Sequence, residues 1–191
     1  RIVVADNGST DDSVEFLRAN YPSVKILQLD KNYGFAEGYN RALREIKAEY
    51  YVLLNSDVEP TKGWIEPLVQ TLESEKSIAA VAPKLLSDVD RDKFEYAGAA
   101  GGFIDYLGYP LCRGRILSTI EQDNGQYNTA REVFWASGAA FCCRAEVFHK
   151  LGGFDSDFFA HMEEIDLSWR MQLAGYRVRI VPQSVVYHYG G

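Results

Sequence analysis

Cysteine is scarce in this chain, with only Cys112, Cys142 and Cys143 among 191 residues. An odd, small number excludes a disulfide framework. The adjacent pair Cys142 and Cys143 sits in an apolar run and reads as two buried small hydrophobes, which suits a reducing, cytoplasmic compartment. Basic charge is also short: 20 Lys and Arg against 27 Asp and Glu leave a net charge of −7. That balance argues against nucleic acid as a partner, because such binders need a basic face. An anionic ligand must then be held by local devices: a metal ion, backbone N–H groups or a few arginines. No apolar run approaches the roughly 20 residues of a membrane-spanning helix, and no signal-peptide pattern is present. Low complexity and internal repeats are absent too. A hydrophobic content of 47% and a charged content of 25% are those of an ordinary globular domain. The chain opens with Arg1 inside a strand pattern and without Met, so it reads as a piece of a longer protein whose other segments can include a membrane anchor.

What is there is an alternation of strands and helices. Ile2 to Ala5 is a short β-rich run ending at Asp6-Asn7-Gly8. Ser9 or Thr10 is placed to cap a helix carrying Val14 and Leu17, which ends before Tyr21-Pro22. Val24 to Leu29 reads as a strand, and "FAEGYNRALREI" as a helix, with apolar residues at helical spacing. Tyr51 to Leu54 is an uninterrupted apolar strand of the kind covered on both faces. A helix with Trp64, Leu68 and Leu72 follows, then a strand from Ile78 to Ala82. The stretch from Ser87 to Arg131 is rich in Gly and Tyr, with weak periodicity and room only for short strands. Order returns with an apolar segment around Ala136 to Cys143, a short helix closed by Gly152-Gly153, the acidic helix Glu163 to Ala174, and strands at Arg177 to Val181 and Val185 to His188. The alternation predicts a single α/β domain with a parallel-rich sheet, whose ligands collect at the carboxyl ends of the strands. Asp6-Asn7 and Asn55-Ser56-Asp57 both lie at such ends.

Three features carry candidate chemistry, each beside a plainer reading. Asp57 either caps the next helix or binds a hard metal. Mg²⁺ and Mn²⁺ take oxygen ligands, and one or two protein carboxylates suffice when a diphosphate supplies the rest. Asn55 is placed to orient that shell. His188, in "VVYHY", is either a satisfied core histidine or a ligand for a borderline metal such as Mn²⁺. His149 and His161 have no such support. Glu163, Glu164 and Asp166 are either the acidic first turn of a helix or an acid–base centre. On a helix, Glu163 and Asp166 share a face with Arg170 one turn on, a set suited to a structural charge network, and Glu164 points about 100° away.

In order along the chain, "VVADNGSTDDS", "NYGFAEGYN", "LLNSDVEP" and "FFAHMEEIDLSWRMQLAGYRV" resemble the inverting nucleotide-sugar glycosyltransferases of family two, in their bacterial, rhamnosyltransferase-like branch. The likeness runs from Ile2 to His188 and is weak between Ser87 and Arg131. It implies a GT-A fold, truncated at both ends, with a nucleotide-binding half over residues 1–86 and an acceptor and catalytic half over 87–191. It implies that Asp6 and Asn7 meet the nucleotide base and that Asn32 and Gly34 line the nucleotide pocket. It implies that Asn55-Ser56-Asp57 occupies the D-x-D position, with Asn55 replacing the first acid, that Asp57 and His188 hold Mn²⁺ or Mg²⁺, and that Trp135, Ser137 and Gly138 pack beneath donor sugar and acceptor. Glu164 stands where the family carries its catalytic base, usually Asp, with Glu163 and Asp166 as alternatives or support.

The implied activity moves a sugar from a UDP- or dTDP-sugar donor to a saccharide or lipid-linked acceptor in cell-surface glycan synthesis. The implied location is the cytoplasm, peripheral to the inner membrane. A family strand normally precedes Arg1, between those matching Ile2 to Ala5 and Tyr51 to Leu54. Without it, weak donor binding and gap-filling by strand exchange in a homodimer are expected. Two other readings are a sugar-phosphate nucleotidyltransferase and a non-catalytic nucleotide-sugar-binding module. The first expects a Gly-rich phosphate loop with basic residues near the N-terminus, and the chain carries none.

Overall fold

The computed structural model describes residues 1–190. The chain forms two compact units, one made of Arg1–Lys47 with Gly152–Glu163 and the other of Ala48–Leu151 with Glu164–Gly191.

In the first unit, strand β1 (Val3–Asp6) pairs in parallel with β2 (Lys25–Gln28), with helix α1 (Ser13–Asn20) between them in sequence and α2 (Gly34–Arg44) after them. Helix α1 starts later than a Ser9 or Thr10 cap would set it: its N-cap is Asp12, and the Asp11 carboxylate accepts the Ser13 N–H at 3.1 Å. Helix α2 is amphipathic, burying Ala36, Asn40, Ala42 and Leu43. The Asn40 side chain donates to the Phe154 carbonyl at 2.8 Å and accepts the Phe154 N–H at 3.0 Å, which fastens the segment after Gly152 onto α2. A buried amide satisfied on both sides in this way stabilises where an unpaired one would cost about 1–3 kcal/mol.

The second unit is built on a six-stranded sheet of β3 (Tyr50–Leu54), β4 (Val58–Pro60), β5 (Ile78–Ser87), β10 (Arg131–Val133), β11 (Ala140–Arg144) and β12 (Arg177–His188). The strand order is β10-β12-β5-β11-β3, with β4 pairing on β12. Strands β5 and β12 are parallel, while β11 runs antiparallel to both β3 and β5. The sheet is therefore mixed rather than mostly parallel. Strands β3, β5 and β12 do share a direction, but β11 enters between β3 and β5 the opposite way.

Strand β3 lies at the edge of this sheet and alternates, with Tyr51 and Leu53 buried and their neighbours half-buried, instead of being covered on both faces. The two runs predicted at Arg177 to Val181 and Val185 to His188 are one strand, with register shifts against β5 between Arg177 and Val178 and between Val181 and Val185. Helix α3 (Ile65–Ser74) packs Trp64, Leu68 and Leu72 against Ile78, Val81 and Leu85 of β5 and against Cys142 of β11. Arg144 at the end of β11 donates to the carbonyls of Ile78, Leu72 and Glu75, giving the C-terminal end of α3 a charged cap. Helix α4 (Ala145–Lys150) and helix α5 (Glu163–Leu173) follow.

The Gly- and Tyr-rich middle holds two small hairpins, β6 (Gly102–Ile104) with β7 (Pro110–Cys112) and β8 (Arg115–Ile116) with β9 (Thr119–Ile120). Its inner side is anchored by the buried Phe94, Ala99, Ala100, Cys112 and Trp135. The buried Lys84 ammonium binds the Asp123 carboxylate and, at 2.8 Å, the side-chain oxygen Oδ1 of Asn128, which pins that loop to β5.

Candidate active site

The antiparallel pairing of β4 with β12 sets the centre of the site. His188 falls opposite Val58 in that register, so its ring stands beside the residue before Val58, which is Asp57. His188 Nε2 lies 3.3 Å from Asp57 Oδ2. Backbone bonds hold both ends: Tyr189 N–H donates to the Asp57 carbonyl and Asp88 N–H to the His188 carbonyl, each at 3.0 Å. Asp57 is two-fifths exposed while His188 is almost fully buried, so the imidazole forms the floor and the carboxylate the open side. The two residues lie far apart in sequence, and only the strand register brings them together. Arg91 braces this end of the sheet, bonding Glu59 and Asp88 and stacking its guanidinium 4.2 Å above the Tyr187 ring.

On the far side of His188 lies Glu95, a residue that sequence reasoning passed over. It is 5% exposed, and its Oε1 is 3.4 Å from His188 Nδ1. Its other oxygen accepts the Ala97 N–H at 2.6 Å. Glu95 is carried there by a short return of the chain over β5, where its N–H donates to the Leu85 carbonyl and Phe94 bridges Leu86. Contact with Glu95, and more weakly with Asp57, raises the His188 pKa above the ordinary imidazole value although burial acts the other way. In the sequence Glu95 only ends the charged stretch "DVDRDKFE" that precedes the uncharged run "YAGAAGGF", so nothing there marked it out.

Asn55 leaves the end of β3 with its N–H donated to the Ala139 carbonyl at 3.0 Å. This bond joins the Asn55-Ser56-Asp57 turn to the segment holding Trp135, Ser137 and Gly138, all three buried. The Trp135 indole N–H donates to the Phe103 carbonyl at 3.0 Å, and its ring lies against Gly102, where a Cβ would come within 1.8 Å of it. The Ser137 hydroxyl donates to the Ala97 carbonyl at 2.9 Å and accepts the Ala139 N–H at 3.3 Å. With these polar atoms committed to the backbone, the segment supplies shape around the Asp57 turn.

The three acids of α5 have different surroundings. Asp166 accepts two bonds from Arg170, at 2.8 and 2.6 Å, and Arg170 also donates to the Leu151 carbonyl at 2.7 Å. That pair is an i,i+4 bridge tying α5 to the end of α4. Glu163 is 3% exposed, its Oε2 has no hydrogen-bond partner, and burial pushes its pKa up. Glu164 is half-buried in the same unit as Asp57 and His188. The two residues before the helix, His161 and Met162, both adopt left-handed backbone, with φ of 72° and 73°. Such a conformation costs on the order of 1–2 kcal/mol for each non-glycine residue, so the entry into this helix is strained. His161 is exposed, and His149 bonds the Tyr51 hydroxyl at 2.8 Å, a packing role.

The first unit holds the other sequence-predicted group. Asn7 donates to the Gly34 carbonyl at 2.8 Å and to Asn32 Oδ1 at 3.1 Å, and it accepts the Tyr33 N–H at 3.0 Å. Asn32 in turn accepts the Gly34 N–H at 2.8 Å. Gly34 has φ of 76°, and a side chain there would run into the Phe159 carbonyl. These residues knit the ends of β1 and β2 into one loop. Asp6 is buried and accepts the Ser9 N–H through Oδ1, and its Oδ2 has no hydrogen-bond partner.

Asp57 and His188 supply one oxygen and one nitrogen donor, and no cluster of three or more potential metal ligands occurs among the described residues. A carboxylate and an imidazole facing each other suit a borderline divalent ion whose remaining ligands are water and substrate oxygens.

Comparison with known proteins identifies the family and the fold. The sequence model of glycosyl transferase family 2 matches residues 1–152, and that of glycosyl transferase family group 2 matches residues 115–190. The chain is 28% identical to an N-acetylglucosaminyl-diphospho-decaprenol L-rhamnosyltransferase of Mycobacterium tuberculosis, over 98% of this chain and 66% of that protein. It is also 28% identical to a pre-mycofactocin glycosyltransferase of the same organism, covering 37% of it. The chain thus spans between about one third and two thirds of these relatives' length. Among solved structures, GalNAc-T7 with UDP, GalNAc and Mn²⁺ superposes with a TM-score of 0.74 at 18% identity, over 98% of this chain and 37% of that one. The Pyrobaculum calidifontis mannosyltransferase PcManGT with GDP-Man and Mn²⁺ gives 0.64 at 17% identity, over 99% and 47%. The fold is that of the GT-A glycosyltransferases, and the chain belongs to glycosyl transferase family 2.

Proposed function

We propose that this chain is the catalytic part of an inverting, metal-assisted glycosyltransferase. The donor is a nucleoside-diphosphate sugar, UDP- or dTDP-linked, and the acceptor is a saccharide or a lipid-linked saccharide of a cell-surface glycan. The observation that carries this reading is the Asp57–His188 pair, 3.3 Å apart at the ends of two paired strands. Those two side chains would hold Mn²⁺ or Mg²⁺, which when bound stabilises negative charge on the departing diphosphate. A relative that carries a decaprenol-linked name supports the lipid-linked acceptor.

Glu164 is the general base of this reading. It takes the proton of the acceptor hydroxyl as that oxygen bonds to the anomeric carbon, while the bond from that carbon to the diphosphate oxygen breaks on the opposite face. Asp6 offers an unpartnered carboxylate oxygen to the nucleotide base, and Asn7, Asn32 and Gly34 shape the loop beside it. Asn55 contacts the nucleotide, and Trp135, Ser137 and Gly138 form the support under donor sugar and acceptor. Asp166 is left to its bridge with Arg170.

A second reading of the base has its own support. Glu163 is the more deeply buried acid, and its raised pKa is a property of many catalytic carboxyls. Transfer by the full-length protein, followed with a panel of nucleotide sugars in Mn²⁺ or Mg²⁺, separates the two. Glu164→Gln should lower turnover about 10²- to 10⁴-fold with nucleoside-diphosphate binding retained. The same loss in Glu163→Gln, with Glu164→Gln active, would move the role to Glu163. No transfer or donor hydrolysis from any nucleotide sugar would remove the enzymatic reading.

A further inference from the structure

Glu95 is a buried carboxylate, and a buried acid needs a reason, because leaving water without compensating partners costs several kcal/mol. Only half of that reason is local, since Oε2 is bonded to the Ala97 N–H while Oε1 points at His188 Nδ1 from 3.4 Å. The Nδ1 atom is itself buried and has no hydrogen-bond partner among the described residues, and the Glu95 carboxylate stands beside it at 3.4 Å. On the opposite side of the ring, Nε2 faces Asp57 at 3.3 Å. The imidazole is therefore held between two carboxylates, one buried and one open to solvent.

We propose that Glu95 is the positioning residue of the metal centre. Its carboxylate accepts the Nδ1–H of His188, which fixes the ring plane and the tautomer so that the Nε2 lone pair is presented on the side of Asp57. A free imidazole divides its proton between the two nitrogens, and the nitrogen left bare is decided by the bond the other one makes. A carboxylate behind a ligating histidine also makes the ligating nitrogen more basic. Asp57 offers a second donor and Asn55 only a neutral amide, so the shell depends on this imidazole more than a two-acid D-x-D shell would. The contact, at 3.4 Å, is long for a hydrogen bond. Glu95 does not touch substrate. It acts through His188, and the proposal rests on the reading of Asp57 and His188 as metal ligands.

The test measures Mn²⁺ binding to the full-length protein in the presence of UDP, by electron paramagnetic resonance of free Mn²⁺, together with the ring-nitrogen NMR shifts of His188 without metal. Asp57→Asn tests the underlying metal site, and Glu95→Ala and Glu95→Gln test the positioning. In the wild type, neutral His188 should carry its proton on Nδ1. Glu95→Ala should weaken Mn²⁺ binding about 10- to 100-fold and shift His188 towards the Nε2–H tautomer. Glu95→Gln keeps an acceptor oxygen, so it should keep the tautomer and recover most of the affinity, which also covers the case in which the alanine variant folds poorly. If Asp57→Asn abolishes Mn²⁺ binding while Glu95→Ala leaves affinity and tautomer unchanged, the positioning role is wrong and the metal site stands. If Asp57→Asn leaves Mn²⁺ binding intact, the metal site itself is wrong.

Discussion

Glu163 and Glu164 are neighbours in sequence and differ in the water around them. Burial raises the pKa of Glu163, and its backbone bond and His161 only partly offset that. A carboxyl whose folded pKa is raised binds its proton more tightly in the native state. Stability is then greatest below the unfolded glutamate pKa of about 4.3 and falls as pH rises towards the folded value. Glu163→Gln should therefore raise the melting temperature at pH 8, with the gain shrinking towards pH 4. Thermal denaturation at both pH values checks this, and an equal difference at both would contradict it. At the same scale, burial pushes the Cys142 thiol up to about 12 and raises that of Cys143 strongly. Neither should react with a thiol reagent in the native protein at pH 8, and both should react in denaturant. That Glu95 stands beside His188 was not legible, because the β5–β12 pairing brings these residues together from far apart in the chain.

Between strands and helices, the acidic cluster, the Asn55-Ser56-Asp57 turn and most elements could be read from periodicity and turn residues, while the D-x-D likeness came from the family resemblance. What escaped was pairing. Nothing in "VVYHY" says that His188 stands opposite Val58, since strand register is decided by partners remote in sequence. The mixed direction of the sheet escaped for the same reason: an apolar run such as that of β11 looks the same whichever way it enters. The middle segment was unreadable because its order comes from close approach rather than pattern. Gly102 shows this, lying flat against the Trp135 indole at an isolated bridge. Gly102→Val has no room to relax, so it should cost about 3 kcal/mol or more, as overpacked cores do. Urea denaturation measures that loss, and a change within about 0.5 kcal/mol, typical of unconstrained surface sites, would show that this contact does not order the segment.

For the whole molecule, the family was legible from four short motifs in order, and residues 1–152 match its sequence model. No helix among the described residues is long and apolar enough to cross a membrane. In the proposed reading, the two departures from the family pattern, Asn55 and Glu164, fall at the metal position and the base position. They ask whether the chemistry survives both replacements. In the proposed reading Asp57, 3.3 Å from His188, would serve the first position and the half-buried Glu164 the second. The most direct measurement is sugar transfer by the full-length protein beside its Glu164→Gln and Asp57→Asn variants, with Mn²⁺ and nucleotide binding measured on the same samples. Turnover should be lost in both, with Mn²⁺ binding kept in Glu164→Gln and lost in Asp57→Asn. Wild-type turnover in either variant would contradict the division of labour between base and metal centre.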